Sequence, residues 1–136
     1  MRPHPGATTI DICDYIKPEL CQEPDVVIVH CGTNDIPNNI NTVKKIKKLV
    51  KEIEENNHEN IPQVVISSII KWYDLDYNEE IQSINNKLQR FCTSKGLSFI
   101  DNNNIDKSCL NKGKLHLNRR GLSFLANNFK KFVNAL

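Results

Sequence analysis

The fold is decided by residues 24–35, which read Pro-Asp-Val-Val-Ile-Val-His-Cys-Gly-Thr-Asn-Asp. Residues 26–29 are all β-branched, and no polar residue interrupts them. Such a run is typical of a parallel strand that is buried on both faces. Gly32 follows the run and polar residues come next. The stretch therefore predicts a buried strand with a polar loop at its carboxyl end.

Two more apolar runs predict strands, at 64–70 after Pro62 and at 97–100 after Gly96. Helical patterns alternate with the three strands, and the predicted helices begin at Thr8 or Thr9, at Asn41 or Thr42, at Tyr77 and at Asn118. Strand–helix alternation predicts an α/β fold with a parallel sheet covered by helices on both faces. No linker or internal repeat divides residues 1–136, which predicts a single domain.

Composition narrows the functional classes. The net charge of +2 lacks the basic excess expected of a dedicated nucleic-acid binder. The four histidines and five cysteines have no metal-ligand spacing, so we expect neither a metal site nor a disulfide framework. No apolar stretch is long enough for a secretory signal or a membrane span. We therefore expect a cytoplasmic or nuclear protein with free thiols.

Polar segments follow the predicted strands at the edge of the sheet where α/β proteins bind ligands. Three blocks carry a family resemblance, and they are Pro5-Gly6-Ala7-Thr8-Thr9, Gly32-Thr33-Asn34-Asp35, and Leu115-His116-Leu117-Asn118-Arg119-Arg120-Gly121. Their order and spacing resemble the glycine, G-x-N-D and histidine blocks of SGNH (GDSL-type) hydrolases, in particular the SGNH-like domains of retrotransposon-encoded proteins. The resemblance covers nearly the whole chain.

This resemblance implies a flavodoxin-like, three-layer α/β/α domain that hydrolyses small acyl or lipid esters without metal or cofactor. In the family a serine attacks the ester carbonyl and a histidine accepts its proton. Carried over, His116 is the general base, and Gly6 and Asn34 donate hydrogen bonds to the oxyanion. Gly32 and Asp35 are expected to have structural roles near the site.

Two departures from the family pattern bear on activity. The Gly-Asp-Ser block that supplies the nucleophile is absent, so we expect an N-terminally truncated SGNH domain that lacks the family's first strand and helix and is inactive by itself. Ser67 and Ser68 follow a different strand and are poor substitutes. Gly113 occupies the position where the family has an aspartate that orients the histidine. Asp101 or Asp106 could replace that aspartate.

Alternative functions remain open at this point. One is a non-catalytic module that binds a ligand between Gly6, Asn34 and His116. Another is a nucleic-acid accessory module of a retroelement-derived protein, based on the lysines of residues 44–51, although a solvated helix face explains these lysines more simply. Without the family's first strand, residues 25–31 are expected to form an exposed sheet edge that promotes self-association.

Overall fold

A computed structural model describes residues 8–10, 12, 24–33, 35, 40–55, 61–71, 77–111 and 116–136. Within these ranges three strands form one sheet in the order β1-β2-β3, and they are β1 (Val26–Val29), β2 (Gln63–Ser67) and β3 (Ser98–Ile100). Both strand pairs are parallel. Helices with described bounds are α1 (Thr42–Glu55), α2 (Asn78–Lys95) and α3 (Arg119–Asn134), with a short 3-10 helix at Lys107–Cys109. Thr9, Ile10 and Ile12 are helical as well. The predicted flavodoxin-like α/β class with a parallel sheet is confirmed.

One face of the sheet packs against α1 and α2. The main core cluster consists of Val29, Ile46, Leu49, Val50, Ile53, Val64, Ile66, Leu88 and Cys92. Its members on α1 recur at helical spacing, so they form a single buried stripe. Each such side chain stabilises the fold by roughly 1.5–3 kcal/mol relative to an exposed position. An ion pair of 3.2 Å between Lys95 and Glu54 also joins the two helices.

The opposite face of the sheet carries α3. Side chains alternate between the two faces along a strand, so Ser67 points away from the core that contains Ile66. His30 continues past the end of β1, and its ring contacts Phe129 of α3 edge to face with the centroids 6.0 Å apart. The carboxyl ends of β1 and β2 are therefore adjacent to the inner face of α3.

The second strand is shorter than predicted, because it ends at Ser67 rather than at residue 70. The reason is a tertiary contact from α2. The Asn85 side chain accepts a hydrogen bond from the Ile69 amide at 2.8 Å and donates one to the Ile69 carbonyl at 2.9 Å. Asn85 thus provides the partners that a neighbouring strand would supply, and the chain leaves the sheet.

Candidate functional site

Gly32 shapes the loop that follows β1. Its φ of 117° lies in the region that favours glycine. A Cβ at this position would lie 2.7 Å from Cδ1 of Ile69 and 2.9 Å from Cγ2 of Thr42. Both the backbone conformation and the lack of space therefore require glycine, and the loop turns directly against the start of α1.

Asp35 is fully buried at the end of this loop. One carboxylate oxygen accepts a hydrogen bond from the Thr9 amide at 2.8 Å. The other accepts hydrogen bonds from the Thr9 hydroxyl at 2.7 Å and the Thr42 hydroxyl at 2.8 Å. Charge-assisted hydrogen bonds of this length are the strong ones. Asp35 thus fastens the segment at Thr9 and the first turn of α1 to the loop.

The two predicted oxyanion donors, Gly6 and Asn34, lie outside the described residues. Residues near them are described: Thr9 is the last residue of the glycine block, and Gly32 and Asp35 belong to the same block as Asn34. The Asp35 amide donates to the Gly32 carbonyl at 3.0 Å across a turn. The role predicted for Gly6 and Asn34 stays a prediction.

His116 is exposed just before α3. Its backbone carbonyl accepts a hydrogen bond from the Asn111 amide at 2.8 Å, and the next residue, Leu117, forms an isolated antiparallel bridge with Leu110. The imidazole makes no hydrogen bond within the part of the chain that the structure describes. The backbone of this residue is therefore held while its side chain remains accessible to solvent.

Asn118 and Gly121, the other residues of the histidine block, have structural roles at the start of α3. The Asn118 side chain is the N-cap of α3, where it accepts from the Gly121 amide at 2.9 Å and donates to the Ser108 and Leu110 carbonyls. A Cβ on Gly121 would overlap the Cys109 carbonyl oxygen. These contacts fix the start of α3 against the preceding segment, and they position His116 two residues earlier.

Sequence reasoning missed a polar cluster at the carboxyl ends of the strands. Nδ1 of His30 and Oγ of Ser67 share a hydrogen bond of 2.9 Å whose donor depends on the imidazole tautomer. The Asn102 side-chain amide donates to the Ser67 hydroxyl and to the Ser68 carbonyl, both at 2.8 Å. Asn128 of α3 donates to the Asn102 oxygen at 3.0 Å. The cluster joins α3 to all three strand ends.

Burial lowers the pKa of His30 to about 4, because a charged imidazole would lose hydration there. The ring is therefore neutral at pH 7 and serves as a hydrogen-bond partner. Ser67 is 2% exposed and Ser68 is 4% exposed. The available sequence signal was that His30 and Asn102 each follow a predicted parallel strand and that Ser67 lies within one, since the carboxyl ends of such strands meet at one edge of the sheet.

Comparison with known proteins identifies the family. A model of the GDSL-like lipase/acylhydrolase family matches residues 2–122. The chain belongs to the GDSL-like lipase/acylhydrolase family. The comparison with curated proteins finds no match.

Several solved structures share the fold of this GDSL-family chain. A GDSL-like lipase from Bacteroides thetaiotaomicron superposes with a TM-score of 0.82 at 18% identity, over 96% of this chain and 73% of the lipase. A G-D-S-L family lipolytic protein from Veillonella parvula gives 0.80 at 18% identity, over 96% and 77%. A family 3 carbohydrate esterase from Clostridium thermocellum gives 0.78 at 22% identity, over 94% and 65%. At these identities the likeness concerns the fold.

Neither Asp101 nor Asp106, the two aspartates considered in the sequence analysis, is hydrogen bonded to His116. The Asp101 carboxylate accepts from the Asn103 amide at 2.9 Å. The Asp106 carboxylate accepts from the Ser108 hydroxyl and amide, and these bonds hold its pKa below the ordinary value. Gly113 lies outside the described residues. Within the described ranges, His116 thus has no carboxylate partner.

The described residues contain no group of histidine, cysteine or acidic side chains that could hold a metal ion. No helix among them has the length and apolarity needed to cross a membrane. Cys92 and Cys109 are buried, Cys31 is partly buried, and none of these three is in a disulfide. Burial raises the pKa of Cys92 to about 11, so this thiol stays protonated at neutral pH.

Proposed function

We propose that this GDSL-family chain carries the proton acceptor and the oxyanion donors of a hydrolase for O-acyl or lipid esters. His116 is the general base, and Gly6 and Asn34 hold the oxyanion. The proposal is supported by the family match over residues 2–122, which contains all three motif blocks in the family's order. The exposed imidazole of His116 also agrees with a group that must reach a reacting hydroxyl or water.

The residue types suit this chemistry. A neutral histidine accepts a proton near pH 7, where a general base works best. An asparagine amide donates to a developing oxyanion without a formal charge of its own. Each preorganised donor of this kind stabilises the transition state by roughly 2.7–4 kcal/mol.

We further propose that the 136 residues by themselves do not turn over esters. The observation that carries this proposal is the lack of a Gly-Asp-Ser sequence anywhere in the chain. The serines at the strand ends do not replace it, since Ser67 and Ser68 are buried and both hydroxyls are hydrogen bonded to Asn102. A hydroxyl in that position has no path to a substrate carbonyl.

Hydrolysis of p-nitrophenyl acetate tests the proposed inactivity. We expect the purified 136-residue chain to match the buffer rate, and His116→Ala to leave that rate unchanged. The control is Lys48→Ala, an exposed substitution on α1. Turnover that His116→Ala abolishes and Lys48→Ala preserves would refute the proposed inactivity. Saturable binding of an acyl ester with no turnover would favour the non-catalytic binding module instead.

Self-association through residues 25–31 is part of the proposal. Among the described strands β1 pairs with β2 alone, so it lies at an edge of the sheet. Unpaired backbone groups on an apolar edge favour pairing with another chain. We expect the sedimentation coefficient to rise with protein concentration and Val26→Lys to reduce this rise. The control, Val133→Lys, makes the same substitution at an exposed position of α3 and should leave the rise unchanged. A monomer at all concentrations with sharp thermal unfolding would contradict this part.

A further inference from the structure

A continuous groove runs between α1 and α2 on their exposed side. Two adjoining cavities form it, with volumes of about 490 Å³ and about 380 Å³. Val43, Lys47 and Lys87 line both cavities. The groove is separate from His116 and from the cluster around His30, and the proposed ester chemistry does not use it.

Positive charge is concentrated along this groove. Its charged lining residues are Lys44, Lys47, Lys87, Arg90 and Glu80. Their net charge of +3 exceeds the +2 of the whole chain. None of the four basic side chains forms an ion pair in the described ranges, where the ion pairs of these helices are Lys51–Glu55 and Lys95–Glu54. The groove is thus an uncompensated cationic surface.

Apolar side chains form the floor of the groove. Val43, Ile84 and Phe91 line it while also packing against the core, and Ile40 lines one end. Val43 belongs to the apolar stripe of α1 but is only partly buried, unlike Ile46 on the same helix. An apolar floor between basic margins suits a ligand that is itself amphipathic.

We infer that this groove binds an acidic amphipathic helix of a partner protein. Apolar side chains of such a helix, spaced at i, i+3, i+4 and i+7, would lie on Val43 and Ile84. Its carboxylates would pair with Lys47, Lys87 and Arg90 along the margins. Electrostatic complementarity of this kind selects the partner and accelerates association.

A single-stranded nucleic acid fits the groove less well. Such ligands stack their bases on open aromatic rings. Phe91 is the aromatic residue that lines the groove in the described part of the chain, and the Lys47 ammonium already covers its ring at 5.4 Å from the centroid. Phosphates would also leave the apolar floor at Val43 and Ile84 uncovered.

Fluorescence anisotropy with three labelled probes tests the inference. The first probe is a peptide of about 18 residues with leucines at i, i+3, i+4 and i+7 and glutamates elsewhere. The second replaces every glutamate with glutamine. The third is a single-stranded RNA of about 20 nucleotides. We expect the acidic peptide to bind most tightly, with an affinity that falls as salt is raised.

Matched charge reversals locate the binding surface. The test variant is Lys47→Glu with Lys87→Glu, and the control is Lys45→Glu with Lys48→Glu, which makes the same net change on α1 outside the groove. We expect the test pair to weaken acidic-peptide binding about tenfold or more, and the control pair to weaken it about twofold at most. Equal losses in the two pairs would overturn the inference, because they would show nonspecific charge attraction.

A separate substitution tests whether the apolar floor of the groove contributes to peptide binding. Val43→Thr keeps the side-chain shape and replaces a methyl group with a hydroxyl, so we expect a several-fold loss of acidic-peptide binding with RNA retention unchanged. RNA that binds more tightly than the peptide and is released by the Lys47 and Lys87 reversals would make the groove a nucleic-acid site and refute the inference. Circular dichroism melts verify folding, and Lys47→Gln with Lys87→Gln replaces any reversal that fails to fold.

Discussion

The loop after β1 and the segment before α3 both carry family motifs, but they differ in how their motif side chains are held. In the loop, Gly32 has no room for a side chain and Asp35 is buried with three hydrogen bonds. In the segment, the imidazole of His116 is exposed and makes no hydrogen bond within the described ranges. Packing therefore accounts for Gly32 and Asp35, whereas it gives no reason for a histidine at 116.

The histidine block, residues 115–121, also contains both kinds of residue: some are required by the fold and His116 is not. Asn118 is needed as the N-cap of α3, and Gly121 is needed because a Cβ would overlap the Cys109 carbonyl. Motif residues of this kind follow from the fold whether or not the protein catalyses a reaction. The imidazole of His116 makes no hydrogen bond of this kind in the described ranges, so its proposed chemical role can be tested apart from the fold.

Replacing Asp35 should produce the largest loss of stability. Asp35→Ala leaves the Thr9 amide and the hydroxyls of Thr9 and Thr42 without their acceptor in a buried position. We expect a loss of about 3–5 kcal/mol in the free energy of unfolding, measured by urea denaturation. Thr42→Val removes one of the three bonds and should cost less. A loss below about 1 kcal/mol for Asp35→Ala would contradict the structural role.

Acid should lower the stability of the protein, because His30 must stay neutral at the end of β1. The unfolded imidazole titrates near its ordinary pKa of 6.5, whereas burial lowers the folded pKa to about 4. Between these values the unfolded state binds more protons, so stability falls as the pH is lowered through this window and is fully present above it. We expect protonation of His30 to lower the free energy of unfolding by about 2–3 kcal/mol between pH 7 and pH 4.5.

Comparison with His30→Gln separates this contribution from those of other titrating groups. Glutamine keeps a hydrogen-bonding group for Ser67 but does not titrate. The variant should lose less stability than the parent protein when both are denatured in urea at pH 7 and at pH 4.5. Identical losses in the two proteins would show that the imidazole is not the source.

Gly121→Ala should have a smaller effect in the other segment. The added Cβ would overlap the Cys109 carbonyl oxygen, so the backbone must shift. We expect a cost of about 1–3 kcal/mol in thermal or urea unfolding, as overpacking commonly produces. Ala126→Gly, a reverse change at an exposed α3 position, measures helix propensity alone. An increase in stability for Gly121→Ala would show that the contact is not close.

The elements that sequence predicted best are those with a local signal. The β-branched run at 26–29 predicted β1 with the bounds that it has in the structure. The apolar periodicity after Asn41 predicted α1. Hydrophobic period and chain-break residues are encoded within one segment, so they can be identified without the rest of the fold.

Features that depend on register could not be predicted. The strand ends at Ser67 because Asn85, on a helix later in the chain, binds the backbone of Ile69. Likewise, Ser67 meets Asn102 because β2 and β3 pair with Ser67 opposite Ile100. No pattern within either segment specifies that register, so both contacts required the three-dimensional arrangement.

His116→Ala should have the smallest effect on stability, and it separates structural from chemical motif residues most directly. Since the imidazole is exposed and unbonded in the described ranges, we expect a change within about 0.5 kcal/mol in urea unfolding. Asn118→Ala, two residues away, removes the N-cap of α3 and should cost about 1 kcal/mol. A loss for His116→Ala as large as that for Asn118→Ala would give the histidine a structural task, and its presence would then no longer indicate chemistry.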